Sequence, residues 1–140
     1  MITDRPLLEV NVLKKHFPIH GGLLGQVTAK VYAVDGVTFS INRGETLSLV
    51  GESGCGKSTV GKAILRLFKL TDGEVYLDGE RIDNMPARKL RMMRQRVQVV
   101  FQDPFSSLNP RMRVHDILAE PIVNFGLAKS RAELDERVGA

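Results

Sequence analysis

The sequence predicts an α/β fold, and three observations carry that prediction. A strand-like run at residues 45–50 (ETLSLV) leads into a glycine-rich loop, Gly51 to Ser58. An apolar stripe of helical period follows at Val60, Ala63, Ile64, Leu67 and Phe68. Further on, residues 97–101 (VQVVF) form a β-branched run of the kind that fills a buried strand. Composition agrees: 140 residues with 43% apolar and 26% charged side chains suit one globular domain and argue against disorder.

Taken in order, residues 7–13 (LLEVNVL) read as an edge strand, and His20-Gly21-Gly22 opens a loop lasting to about Val27. Residues 30–41 (KVYAVDGVTFSI) form a second strand, split or bulged at Asp35-Gly36. Asn42-Arg43-Gly44 is a turn before the strand at 45–50. The helix after the glycine loop is expected to run on until Thr71-Asp72-Gly73 stops it. Residues 74–82 (EVYLDGERI) read as a hairpin turned at Asp78-Gly79. Pro86 opens a short basic helix to about Arg94, and the buried strand 97–101 follows. Residues 102–111 (QDPFSSLNPR) make a loop with its own shape, then Val114 to Phe125 is helical with a kink possible at Pro121. Ser130-Arg131-Ala132-Glu133 is a capping box that starts a last helix.

Several function classes drop out. Cys55 is the single cysteine, so an internal disulfide, a Cys-based zinc site and a four-thiolate cluster are excluded within these residues. His16, His20 and His115 lack metal-ligand spacing and read as surface or packing residues. No apolar run approaches the roughly 20 residues that span a bilayer. Asp4, Glu9, Lys14 and Lys15 break any signal-peptide pattern, so a reduced, cytosolic setting is expected. A net charge of +4 is mild. The cluster Arg88, Lys89, Arg91, Arg94 and Arg96 has no interleaved aromatic residue for base stacking, and reads as a solvated helix face rather than a nucleic-acid surface.

The chemistry is concentrated in Gly51-Glu52-Ser53-Gly54-Cys55-Gly56-Lys57-Ser58, which matches G-x-x-x-x-G-K-S/T. Glycines let the backbone curl so that successive N–H groups face inward as an anion nest. The following helix adds its positive end and unpaired amides. Lys57 is placed to reach β- and γ-phosphates, the Ser58 hydroxyl to ligate Mg²⁺, and Thr59 to touch the α-phosphate. The alternative, a chance glycine-rich turn, does not account for a strand before the loop and an amphipathic helix after it. Cys55 fills a variable position of the loop as a small residue.

Two stretches resemble a known family. Ala33-Val34-Asp35-Gly36-Val37 leads into the loop Gly51 to Thr59, and residues 99–111 read Val-Val-Phe-Gln-Asp-Pro-Phe-Ser-Ser-Leu-Asn-Pro-Arg. Together they resemble the ATP-binding subunit of an ABC transporter, in the oligopeptide/dipeptide importer branch and of its second ATPase type. The resemblance implies a P-loop NTPase core with an antiparallel β subdomain built from residues before Gly51 and around 74–82. It makes Gln102 the Q-loop glutamine, bearing on Mg²⁺ and the attacking water. It also implies an aromatic residue stacked on adenine. Tyr32 is the nearest candidate, although Thr28 occupies the usual position and strand packing accounts for Tyr32 equally well.

ATP and Mg²⁺ are then the expected cofactors. The expected partners are membrane permease subunits, a second homologous ATPase subunit and, indirectly, a solute-binding protein, at the cytoplasmic face of the inner membrane. The family pattern also calls for a Leu-Ser-Gly-Gly-Gln signature, an apolar strand ending in Asp-Glu and a later histidine. None follows Gln102 here. Residues 1–140 are therefore expected to be the N-terminal part of one ATPase domain, with its helical subdomain begun at about 112–140. The strand before the loop is expected to be poorly covered, and the chain alone to bind ATP without hydrolysing it. A non-catalytic nucleotide-binding module is the alternative; a soluble P-loop kinase would leave residues 102–111 unexplained.

Overall fold

The computed structural model describes residues 5–21, 26–103 and 105–139. It comprises two compact units, Met1–Leu90 and Arg91–Ala140.

The first unit is built on a four-stranded antiparallel sheet in the order β2-β1-β3-β4. Strand β1 (Leu8–Gly21) is central, not the edge strand that its short apolar run predicts. Leu8 and Val10 pair with Ile41 and Phe39 of β2 (Gln26–Ile41) on one side. On the other side they pair with Leu77 and Val75 of β3 (Asp72–Leu77). With neighbours on both sides, Val10 and Leu13 are fully buried, each removing about 1.5–3 kcal/mol worth of apolar surface from water.

β1 also runs on through His20-Gly21, where a loop is expected, because its polar half is laddered to β2. Residues 22–25 of that expected loop lie outside the described residues. The bulge at Asp35-Gly36 is present: Leu13 faces Val37 and Lys14 faces Asp35, leaving Gly36 unpaired. A second irregularity on β1 leaves Val12 in the left-handed region (φ 48°), its N–H held by Thr38 Oγ1 at 2.9 Å.

The predicted hairpin forms. β3 turns at Asp78 and Gly79, both at positive φ, into β4 (Glu80–Arg81). Around it the Arg81 guanidinium donates to Glu74 at 2.5 Å and to both Asp83 oxygens, and Asp83 also accepts from the Val75 N–H at 2.9 Å. The Asp83 side chain is only 8% exposed. Burial pushes its carboxyl up, but the Arg81 guanidinium and the Val75 N–H outweigh burial, and the group titrates below its ordinary range.

A folded value below the unfolded one contributes stability above about pH 4, lost as pH falls through the folded value. Asp83→Asn is therefore expected to lower stability at neutral pH by about 1–2 kcal/mol and to flatten the acid limb of unfolding. Denaturant melts at a series of pH values check this; an unchanged acid limb rules Asp83 out as its source.

Helix α1 (Lys57–Ile64) starts where the glycine loop predicts but ends nearly two turns early. Gly61 lies inside it, at a cost of about 1 kcal/mol relative to Ala. Just beyond it, Arg66 takes a left-handed conformation (φ 51°), and its guanidinium donates to the Ile82 and Met85 carbonyls. Thr71-Asp72 therefore enters β3 instead of stopping a helix, and the Thr71 N–H donates to the Lys14 carbonyl at 2.9 Å. The basic helix appears as α2 (Ala87–Met93), with Leu90 buried on one face.

Two expected strands are missing. Residues 45–50 and 97–101 form no ladder among the described residues. Val50 and Val100 are each 89% exposed, so residues 97–101 are not the buried run their composition predicts. A strand exists only with a partner to take its N–H and C=O groups, and the described residues supply none to either segment. For residues 45–50 this extends the poor cover expected from the sequence.

In the second unit, the loop 102–111 has the local order its composition predicts. Asp103 accepts from the Ser106 N–H and the hydroxyls of Ser106 and Ser107, building a 3₁₀ turn at Phe105–Ser107. Helix α3 (Val114–Asn124) continues through Pro121. Helix α4 (Arg131–Gly139) is capped by Ser130 Oγ, which accepts the Glu133 N–H at 3.2 Å. The reciprocal bond lands one residue earlier than in a capping box, on the Lys129 N–H at 2.8 Å. That N–H and the Arg137 guanidinium hold the Glu133 carboxyl below its usual range. His115 Nε2 lies 2.9 Å from Asp135 Oδ1, tying α3 to α4, while Arg131 pairs with the same carboxylate within α4.

Candidate functional site

The loop 51–56 bridges the unladdered segment 45–50 and α1. Gly56 is the N-cap of α1, in the left-handed region at φ 95°, and the Val60 N–H donates to its carbonyl at 2.9 Å. Its Cα lies directly on β2: a Cβ built there would stand 2.2 Å from the Ala33 carbonyl oxygen and 3.6 Å from Val34 Cγ2. The last glycine of the pattern is thus required by a backbone floor as well as by its φ. Sequence spacing finds Gly56 but not Ala33, whose part is played by a backbone oxygen.

Above that floor the Lys57 ammonium folds back across the loop. It donates to the Gly51 carbonyl at 2.7 Å and the Glu52 carbonyl at 2.5 Å, and lies 3.3 Å from Cys55 Sγ. The Cys55 N–H closes a turn onto the Glu52 carbonyl at 3.3 Å. Glu52, Ser53, Gly54, Cys55 and Ser58 are exposed around this ammonium, and Thr59 is half-buried behind them.

These groups fit an anion. The first turn of α1 holds no acidic residue and no side chain caps it, so its leading N–H groups and positive end are unopposed. The fit to Mg²⁺ is partial. The exposed Ser58 hydroxyl is a suitable oxygen ligand, but the described residues bring together no cluster of three acidic, His or Cys side chains to hold a cation. Mg²⁺ keeps several waters and takes phosphate oxygens, so a single hydroxyl is consistent with a shared site.

The exposed Cys55 thiol sits at this ammonium. Alkylation of Cys55 with a bulky maleimide is expected to weaken nucleotide binding at least about tenfold, through lost contacts to the loop. Nucleotide titration of the fully alkylated chain checks it; binding equal to that of the unmodified chain refutes it.

Tyr32 lies on β2 next to Ala33 and is 63% exposed. Its ring packs on the imidazole of His16, its cross-strand partner, with centroids 4.4 Å apart and planes at 58°. His16 Nε2 in turn lies 3.1 Å from Asp35 Oδ1. Neither contact was visible from local sequence, since both depend on the register between β1 and β2. Gln102 belongs to the second unit, exposed and following the unladdered residues 97–101 rather than a buried strand.

An antiparallel sheet, a glycine loop seated on it and a helix opening from that loop define a P-loop protein of α/β class. The ABC transporter family matches residues 34–139, and the chain belongs to that family, which carries nucleotide binding with it. The chain is 47% identical over 137 residues to the oligopeptide transport ATP-binding protein AppF of Bacillus subtilis (strain 168), covering 97% of this chain and 41% of AppF. It is 45% identical over 145 residues to the glutathione import ATP-binding protein GsiA of Escherichia coli (strain K12), covering 99% of this chain and 23% of GsiA.

Among solved structures, the ATP-binding cassette MJ0796 bound to ADP and Pi superposes with a TM-score of 0.73 at 27% identity, covering 94% of this chain and 53% of that one. The structure of cbiO1 from Clostridium perfringens, part of the ABC transporter complex cbiONQ, gives a TM-score of 0.68 at 25% identity, covering 97% of this chain and 49% of that one. The fold is that of an ABC ATPase cassette, over a chain that spans less than half the length of AppF or GsiA.

Proposed function

We propose that the chain supplies the phosphate-binding part of an ATP-binding subunit that energises import of peptides or related small solutes through a membrane permease. One observation carries the reading: Lys57 and the acid-free, side-chain-uncapped start of α1 converge on a single glycine loop. The names of AppF and GsiA support import of a peptide-class solute.

In this reading Lys57 leaves the Gly51 and Glu52 carbonyls to hold β- and γ-phosphate oxygens, while the amides of residues 51–59 orient the triphosphate. Ser58 would hold Mg²⁺, which would supply positive charge against the phosphates. Gln102 positions water through an amide that does not titrate, and Tyr32 offers a ring face to the base. Residues 1–140 form the N-terminal part of one nucleotide-binding domain, its helical part begun at 112–140. A homologous ATPase subunit completes the site. Permease subunits and, indirectly, a solute-binding protein are the other partners, at the cytoplasmic face of the inner membrane.

Titration of the chain with a fluorescent ATP analogue in Mg²⁺ tests the reading. Saturable binding competed by ATP but not by AMP is expected, because Lys57 engages phosphates that AMP lacks. Sustained turnover by this chain is not expected, since water activation needs a positioned carboxylate and the one Asp-Glu pair, Asp135-Glu136, lies within helix α4 rather than at the end of an apolar strand. Failure of ATP to compete overturns the assignment.

A further inference from the structure

We propose that Lys15 is a positioning residue for the phosphate loop, holding both ends of the segment from Gly56 to Lys69 against one strand. The proposal rests on the nucleotide-binding reading of that loop.

Lys15 pairs across the ladder with Val34 of β2. Val34 is 5% exposed, and its Cγ2 and the neighbouring Ala33 carbonyl are what Gly56 rests on. The backbone of Lys15 therefore supports the entry to α1. Its side chain reaches the far end. Nζ donates to the Lys69 carbonyl at 2.9 Å, beyond the last turn of the helix.

The same ammonium lies 4.7 Å from the Phe17 ring centroid and 5.0 Å from that of Phe68. Those rings meet edge-on at 5.6 Å and 79°. A cation against two ring systems is attracted by both quadrupoles, so the ammonium joins a ring on β1 to one following α1. The neighbouring residues of β1 repeat the tie: the Lys14 carbonyl accepts the Thr71 N–H, and the His16 N–H donates to Thr71 Oγ1 at 2.8 Å.

α1 is a rod of 8 residues, about 12 Å long. The segment from Gly56 to Lys69, α1 with the tight turn after it, is held at both ends, so α1 cannot tilt freely while both clamps stand. Its leading amides and Lys57 are the groups aimed at phosphate, so release at Lys69 shifts the groups at Lys57. Lys15→Met keeps the aliphatic stem between the rings and removes only the charge and its N–H donors.

In this 140-residue chain, Lys15→Met is expected to weaken binding of a fluorescent ATP analogue about 2- to 30-fold, the span for residues acting on a site through packed neighbours. Lys15→Arg, which retains cation and donors, is expected to restore most of it. The denaturation midpoint is measured alongside. Unchanged affinity, or a loss matched by the unfolded fraction, overturns the proposal. Should Lys15→Met fail to fold, Phe68→Leu removes a ring and keeps the apolar packing, and the same loss is expected. Amide exchange at residues 56–60 without nucleotide separates the two readings: faster exchange in the variant supports the clamp even if the wild-type chain binds no nucleotide, and equal exchange refutes it.

Discussion

Lys57→Ala is expected to weaken nucleotide binding by about 10- to 150-fold, the equivalent of one charge-assisted hydrogen bond of about 1.5–3 kcal/mol. The direction follows from what surrounds the ammonium. In the free loop its acceptors are the Gly51 and Glu52 carbonyls, both neutral and at the edge of the site. A phosphate oxygen carries charge and makes the stronger bond, so the exchange favours the bound state. The α1 amides remain in the variant, so residual affinity should persist. Lys57→Arg keeps the charge but presents a bulkier planar fork in place of a compact ammonium, and is expected to recover only part of the loss. Equilibrium titration of wild type and both variants decides the matter. Equal affinity for wild type and Lys57→Ala removes Lys57 from the site and leaves the nucleotide assignment without its main contact.

Gly56→Ala is expected to destabilise the first unit, and Gly54→Ala is its control. Both glycines have positive φ, 95° and 84°, so each substitution forces an L-residue into a region costing about 1–3 kcal/mol. Around Gly54 an added methyl meets nothing within 4 Å, so that backbone cost is the whole expected effect. At Gly56 the methyl would stand 2.2 Å from a backbone oxygen of β2, which has no rotamer with which to yield. Relieving that contact means lifting the start of α1 from the sheet, a further cost of about 1–3 kcal/mol. Chemical denaturation of the two variants should therefore separate them clearly. Equal losses would show that Gly56 matters for its φ alone.

Much of this architecture was legible locally. Asp78-Gly79 reads as a two-residue turn because both positions need positive φ, and the structure has it so. Gly36 reads as a bulge, Ser130 as a cap and Gly51 to Lys57 as a glycine loop opening a helix, since each signature lies within a few residues. What stayed illegible depends on distant partners. The central place of β1 follows from pairing with residues up to Leu77, which no local period encodes. The early end of α1 goes with Gly61, readable in the sequence, and with the Arg66 guanidinium finding carbonyls at Ile82 and Met85, which is not. Residues 45–50 and 97–101 have every local mark of strands, but ladder bonds belong to a pair of segments rather than to one. Within the site the same division holds. The spacing of glycines and Lys57 is local, whereas the Ala33 floor and the His16–Tyr32 contact exist only through the register of the sheet.

The unladdered residues 45–50 bear on how well the loop is organised before any ligand arrives. On its helix side the loop is pinned, through Gly56, to β2. On its other side Gly51 continues from a segment with no hydrogen-bonded neighbour strand among the described residues. Preorganisation is lopsided. A ligand that closes this loop must itself order the Gly51 half, and that ordering subtracts from the affinity its contacts would otherwise deliver. The affinity of this chain for nucleotide is accordingly a floor: any neighbour that laddered residues 45–50 would raise it without touching a single phosphate.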